Sequence, residues 1–412
     1  MKIERFETLR LDEFPQQLWV RVHTDEGPVG LGETCLGPET VEAHIHESIA
    51  PRLIGQNPLL LDRHSRSMYD LFVGYGGTGA ETRGNSAVDV ALWDIVGQAA
   101  GLPIYQLLGG ATRDRIRIYN TCAGYNYGRG NRGALGAADR ASAGDWGLPA
   151  GSPPGPYEDL YAFIHHADEL ALSLLDQGIT GMKIWPFDPF AIPSGGHYIS
   201  AAEIKQGLEP FEKIRTAVGS KMDIMVELHA LWQLPMARKI AQALEPYNPF
   251  WLEDPIKADD LEAVARFARS TRVPTVVGET LATRWSFRQV LDLEAASILM
   301  FDIGWVGGLS EAKKIATMAE SYDVSVAPHD CTGPVVLIAS SHLAINLPNA
   351  LVQETVRAYY TGWYKEVVTA LPTFGEGHIA PPPGPGLGTA LVPGIESRAD
   401  AHVRFTDRND LR

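Results

Sequence analysis

Eight short apolar runs, each closed by a polar or charged residue and separated from the next by helical spacing, fill the chain from Arg115 onward. They are Ile116–Asn120, Gly181–Trp185, Ile224–His229, Phe250–Glu253, Thr275–Glu279, Ile298–Asp302, Val324–His329 and Leu351–Glu354. A strand that is apolar along its whole length must be buried on both faces, which points to a parallel sheet covered by helices. Eight strand-helix units predict a closed α/β barrel of the (β/α)₈ type. The competing architecture is a doubly wound open sheet, but no glycine-rich dinucleotide turn follows the first strand. With 412 residues there is room for such a barrel, at about 250 residues, together with an appended domain.

The appended part reads as an α+β domain over residues 1–112. Leu18–Thr24 alternates apolar and polar positions as a half-buried strand does, and Asp25-Glu26-Gly27-Pro28 supplies its turn. Helical spacing follows over Thr40–Ile54 and Asn85–Leu108. The barrel is placed at 113–370. The tail, 371–412, carries Pro381-Pro382-Pro383-Gly384-Pro385-Gly386 and reads as an irregular strap. A long stretch rich in Gly, Ala, Ser and Pro, Gly124–Asp159, interrupts the first two barrel strands. Its place after a strand puts it on the catalytic face, so it is expected to act as a lid together with the loop 74–85, a flexible surface insertion being the alternative.

Fifty acidic residues against 35 basic ones leave a net charge of -15, which disfavours binding to a phosphate backbone, so no nucleic-acid partner is expected. Cys35, Cys122 and Cys331 are odd in number and far apart, which suits a reducing compartment. Neither a signal-peptide core nor an apolar run of about 20 residues is present, so the expectation is a cytoplasmic protein without a membrane partner.

The chemistry lies in the residues that end the runs. Glu227, Glu253 and Glu279 close three consecutive ones at equal intervals of 26 residues. Adjacent strands are about 4.8 Å apart, so three carboxylates would stand side by side at the C-terminal mouth, where barrel enzymes work. Anions that close require a cation, and oxygen-only ligands with room for substrate suit Mg²⁺ better than zinc. His229, two residues beyond Glu227, is expected on the same strand and facing the same side. Asp254 then faces the other way and is read as structural. Asp302 and His329 end the next two runs, and a carboxylate beside an imidazole fixes its tautomer and strengthens it as a base. Lys183 and Glu354 complete the ring. His44, His46, His165, His166 and His342 fall in helical patterns and are read as surface or packing residues, and Arg284, five residues past Glu279, as either a contact for a substrate anion or a helix-face ion pair.

These residues together resemble the enolase superfamily, in particular its mandelate-racemase-like subgroup, over nearly the whole length. Ser86–Ile95 and Gly101–Gly110 are similar to the end of that family's capping domain. Glu227, Glu253 and Glu279 match its magnesium ligands, Asp302 and His329 its Asp-His dyad, and Glu354 its strand-eight glutamate. The resemblance implies a modified TIM barrel, (β/α)₇β, capped by the N-terminal region and the returning tail. It also implies Mg²⁺ as cofactor, a small-molecule carboxylate as substrate, a homo-oligomer, and removal of the proton beside a carboxylate to give an enediolate.

The match departs from the family pattern at one position. Racemases and cycloisomerases of the subgroup carry two lysines on strand two, one residue apart. Here Lys183 is followed at that spacing by Trp185, whose indole cannot accept a proton. The Glu227-Leu228-His229 sequence instead resembles the sugar-acid dehydratases, in which a histidine beside the first ligand protonates the departing hydroxyl. That first ligand is often Asp, and here it is the longer Glu227. The expectation is therefore Mg²⁺-dependent dehydration of an aldonate to a 2-keto-3-deoxy acid, with His329 as base oriented by Asp302 and His229 as acid. Lys183 and Glu354 would hold the substrate carboxylate. The alternatives are a sugar-acid epimerase or cycloisomerase and a sugar-acid binding protein without turnover.

Overall fold

A computed structural model describes residues 1–71, 77–125, 127 and 157–411. Near the N-terminus, β1 (Ile3–Leu11), β2 (Phe14–Thr24) and β3 (Val29–Cys35) form an antiparallel meander, and β14 (Ala401–Asp407) joins its outer edge beside β1. The helix Ala80–Ala100 lies against β3. Gly30 and Gly32 allow this, because a Cβ on either would come within 1.9 Å of the carbonyl oxygen of Ala91 or Ala87. This helix begins earlier than Asn85. It stops at Gly101, which takes the left-handed conformation (φ 67°), and the short helix Ile104–Leu107 follows Pro103. The 40–54 segment is helical as expected but passes through a π turn at Ile45–Ile49.

The eight expected strands form one parallel ring. They are β4 (Ile116–Thr121), β5 (Gly181–Ile184), β6 (Asp223–Glu227), β7 (Trp251–Glu253), β8 (Thr275–Val277), β9 (Ile298–Phe301), β10 (Ser325–Pro328) and β11 (Gln353–Thr355). Each pairs with the next from β4 to β10, and β11 pairs back onto β4. A parallel bridge between Val326 and Ala350 closes the remaining gap. The architecture is a (β/α)-type barrel with an α+β cap. The tail is more regular than a strap: β12 (Thr373–Gly375) and β13 (His378–Ala380) form a hairpin on the edge of β4 before β14 reaches the N-terminal sheet. Among the described residues no helix is long and apolar enough to cross a membrane.

The barrel interior explains how the strand ends are aimed. Tyr119, Met225, Trp251, Met300, Ala327 and Val352 pack together inside the ring. Side chains two residues apart on a strand share a face. The interior side of β4, β6, β7, β9, β10 and β11 therefore continues upward into Thr121, Glu227, Glu253, Asp302, His329 and Glu354. Gly181, whose Cβ would meet Tyr119 at 2.9 Å, leads in the same way to Lys183.

Candidate active site

Glu227 and Glu253 are the last residues of β6 and β7, both buried. Glu279 lies two residues past β8, reached through Gly278 in a positive-φ turn (130°). A Cβ at Gly278 would stand 2.4 Å from the Met300 carbonyl oxygen, so only glycine lets the chain make this approach. One oxygen from each of the three glutamates falls within 4.8 Å of the others. At an effective dielectric of about 20, two unit charges at that separation repel by about 3.5 kcal/mol.

Lys183 offsets part of this repulsion. Its ammonium lies 2.5 Å from Glu253 Oε1, 2.8 Å from Glu354 Oε1 and 3.5 Å from Glu227 Oε2. Glu354 is held further by the Thr121 hydroxyl and by the Asp330 backbone N–H at 3.1 Å. One ammonium does not balance four carboxylates, three of them buried and Glu279 partly so. Burial and the charge of Glu227 push the Glu253 carboxyl well above its ordinary pKa. At Glu227 burial is outweighed by His229 and Lys183, which hold that group ionised. Burial also raises Glu279, against the attraction of His329.

Two imidazoles open into the same cavity, of about 270 Å³, which Lys183, Glu279 and Glu354 also line. His329 Nδ1–H donates to Asp302 Oδ2 at 2.6 Å, and its Nε2 lies 3.3 Å from Glu279 Oε2. Burial alone would lower the pKa of His329. The charges of Glu354 and Glu279 and the bond to Asp302 reverse that and raise it to about 10. His229 Nδ1 donates to Asp188 Oδ2 at 2.5 Å, forming a second Asp-His pair. Each imidazole also has an indole neighbour, with Trp185 5.7 Å from His229 and Trp305 5.2 Å from His329, centroid to centroid.

His229 reaches this position by a route other than strand alternation. β6 ends at Glu227, and His229 takes a left-handed conformation (φ 47°) in the turn that follows. Its backbone N–H donates to Glu227 Oε1 at 2.6 Å, so the turn rather than the pleat ties the two residues together. Asp254 likewise leaves its strand, at φ 36°, and its buried carboxyl is raised by burial and by the charges of Glu279 and Glu227. Alternation therefore does not describe its orientation. Asp188 carried no signal in the sequence beyond its place five residues after Lys183. Of the other histidines, His46 and His342 are buried packing residues, His165 and His166 are exposed, and Arg284 pairs with Glu311. Of the expected lid segments, 74–76, 126 and 128–156 lie outside the described residues, and Ala80 onward is helix.

Comparison with known families places this arrangement. Residues 15–109 match the N-terminal domain of mandelate racemase and muconate lactonizing enzyme, and residues 166–395 match the enolase C-terminal domain-like family. The chain belongs to the enolase superfamily. Within that superfamily it is of the mandelate-racemase-like type. It is 32% identical to a D-galactonate dehydratase from Ralstonia nicotianae, over 95% of this chain and 92% of that one. The crystal structure of a mandelate-racemase-subgroup enolase from Agrobacterium tumefaciens, containing a succinimide residue, has a TM-score of 0.86 at 50% identity, with both chains fully covered. An enolase from Sargasso Sea environmental sequencing gives a TM-score of 0.86 at 42% identity over 99% of each chain.

Members of the enolase superfamily generally use Mg²⁺, and the donors present here fit such an ion. Glu227 Oε2 is buried without a hydrogen-bond donor, and all three candidate ligand groups offer oxygen only.

Proposed function

We propose that the protein dehydrates a monocarboxylic sugar acid to a 2-keto-3-deoxy acid. The observation that carries this reading is the pair of Asp-bound imidazoles opening into one cavity beside the three-glutamate cluster. The relatives named D-galactonate dehydratase support the same reaction class.

Glu227, Glu253 and Glu279 would hold Mg²⁺, which when bound supplies positive charge against the substrate carboxylate. His329 takes the α-proton on Nε2. Its Nδ1–H is committed to Asp302, so Nε2 faces the cavity, and it accepts the proton in the neutral form that a cation on the glutamates would favour by offsetting the charges that raise its pKa. The C–H electron pair moves toward the carboxyl carbon. His229, held through Nδ1 by Asp188, gives its Nε2 proton to the β-hydroxyl as the C–O bond breaks and water departs. The resulting enol tautomerises to the keto acid. Lys183 and Glu354 would flank the carboxylate end, with Lys183 supplying charge and Glu354 holding the ammonium in place.

Incubating the purified protein with Mg²⁺ and a panel of aldonic and aldaric acids should give a semicarbazide-reactive 2-keto acid from at least one aldonate. Failure with every acid, with and without Mg²⁺, would reject the reading. Two imidazoles lining one cavity would also serve two-base epimerisation, and a product that retains all its hydroxyls would establish that instead. If His229 acts as the acid, Asp188→Asn should slow keto-acid formation by about 10²-fold. Solvent deuterium exchange at the α-carbon should continue in that variant. Equal loss of both reactions would count against the assignment.

A further inference from the structure

Asp302 is held at both oxygens, and the residues that hold it are themselves gripped from the N-terminal sheet. On one side, Gly304 N–H donates to Asp302 Oδ1 at 2.7 Å, and the Thr34 hydroxyl of β3 donates to the Gly304 carbonyl at 2.8 Å. On the other, the Thr332 hydroxyl donates to Asp302 Oδ2 at 2.5 Å, while Gln17 Nε2 of β2 donates to the Thr332 carbonyl at 2.6 Å. Immediately downstream, Glu33 Oε2 accepts from the N–H groups of Val335 and Val336 at 2.7 and 2.9 Å, which anchors the start of the helix Pro334–Asn346.

We propose that Thr332 and Thr34 are positioning residues through which the capping sheet aims the Asp302–His329 pair. This rests on His329 acting as the base. A carboxylate with one hydrogen-bonded partner can swing about its terminal torsion, which is broad. Donors on both oxygens remove that freedom, and the imidazole bonded to Oδ2 inherits the fixed direction. Neither donor is rigid by itself, since a hydroxyl rotates and a loop peptide tilts. Their fixity comes from β2 and β3, so the base is aimed only while the capping sheet is seated on the barrel. Misplacing a reacting group by about 1 Å can cost 10²-fold in rate, so the arrangement bears directly on turnover.

Thr332→Val removes the donor and keeps the shape, and Thr332→Ser restores it. Thr332→Val is expected to lower kcat for α-proton exchange at least about tenfold with KM within about twofold, and Thr332→Ser to recover most of the loss. Thr34→Val should give a smaller fall of the same kind. The hydrogen-bonded Nδ1–H proton of His329, read by NMR without substrate, should shift or broaden in Thr332→Val and return in Thr332→Ser. A folded Thr332→Val protein with wild-type kcat and an unchanged proton resonance would overturn the proposal. Should that variant fail to fold, Thr34→Val decides in its place, and unchanged kcat and resonance there would overturn it equally. The resonance separates the two levels of inference. A wild-type protein that exchanges no α-proton, yet whose Nδ1–H responds to Thr332→Val, rejects the base assignment and leaves the grip on Asp302 standing.

Discussion

Replacing His329 with asparagine is expected to abolish solvent deuterium exchange at the α-carbon of any aldonate that the wild-type protein dehydrates, by about three orders of magnitude. Asparagine can keep a hydrogen bond to Asp302, so the buried carboxylate is not left without a partner. What disappears is the basic nitrogen that faces the cavity. The loss should fall on kcat, because His329 contributes to the step in which the proton moves. Exchange at the wild-type rate would remove His329 from the role of base. Exchange lost together with substrate binding would mean that the imidazole only shapes the cavity.

Removing divalent cations should silence the protein and lower its thermal stability together. Three carboxylates within 4.8 Å repel each other, and Lys183 is the one ammonium in contact with the cluster among the described residues. An ion that binds the folded site alone stabilises by RT ln(1 + [L]/Kd), or about 2.7 kcal/mol at 100 times Kd. For a chain of this size that corresponds to a rise in Tm of roughly 3 °C. Keto-acid formation should vanish in EDTA and return with Mg²⁺, and Tm should climb with Mg²⁺ concentration. Glu279→Gln is the informative variant. It removes one candidate ligand and leaves the contacts of Lys183 with Glu227, Glu253 and Glu354 intact. Its Tm should respond little to Mg²⁺. A response equal to that of wild type would show that the glutamates are not the ligands, whatever the activity does.

Much of the barrel was legible because burial on both faces leaves a strong trace in the sequence. The eight apolar runs correspond to β4 through β11, although most of the strands are shorter than their runs. The runs overshoot because their closing residues have already left the sheet at Glu279, Asp302 and His329. The equal spacing of the three glutamates survives as three oxygens in one cluster. The tail was harder to read. β14 has exposed positions and a weak pattern, and it becomes a strand because β1 offers it an open edge.

The periodicity of the chain, by itself, determined a parallel barrel with an acidic rim, because alternation and burial are local properties that each strand carries within its own residues. Local pattern does not say which loops fold back. Asp188 meets His229 across 41 positions, Gln17 meets Thr332 across 315, and Thr34 meets Gly304 across 270. Those contacts exist only once the ring has closed and the sheet has settled over its mouth. Hydrogen bonds between such distant residues depend on where whole elements come to rest, and no short window of sequence contains that information.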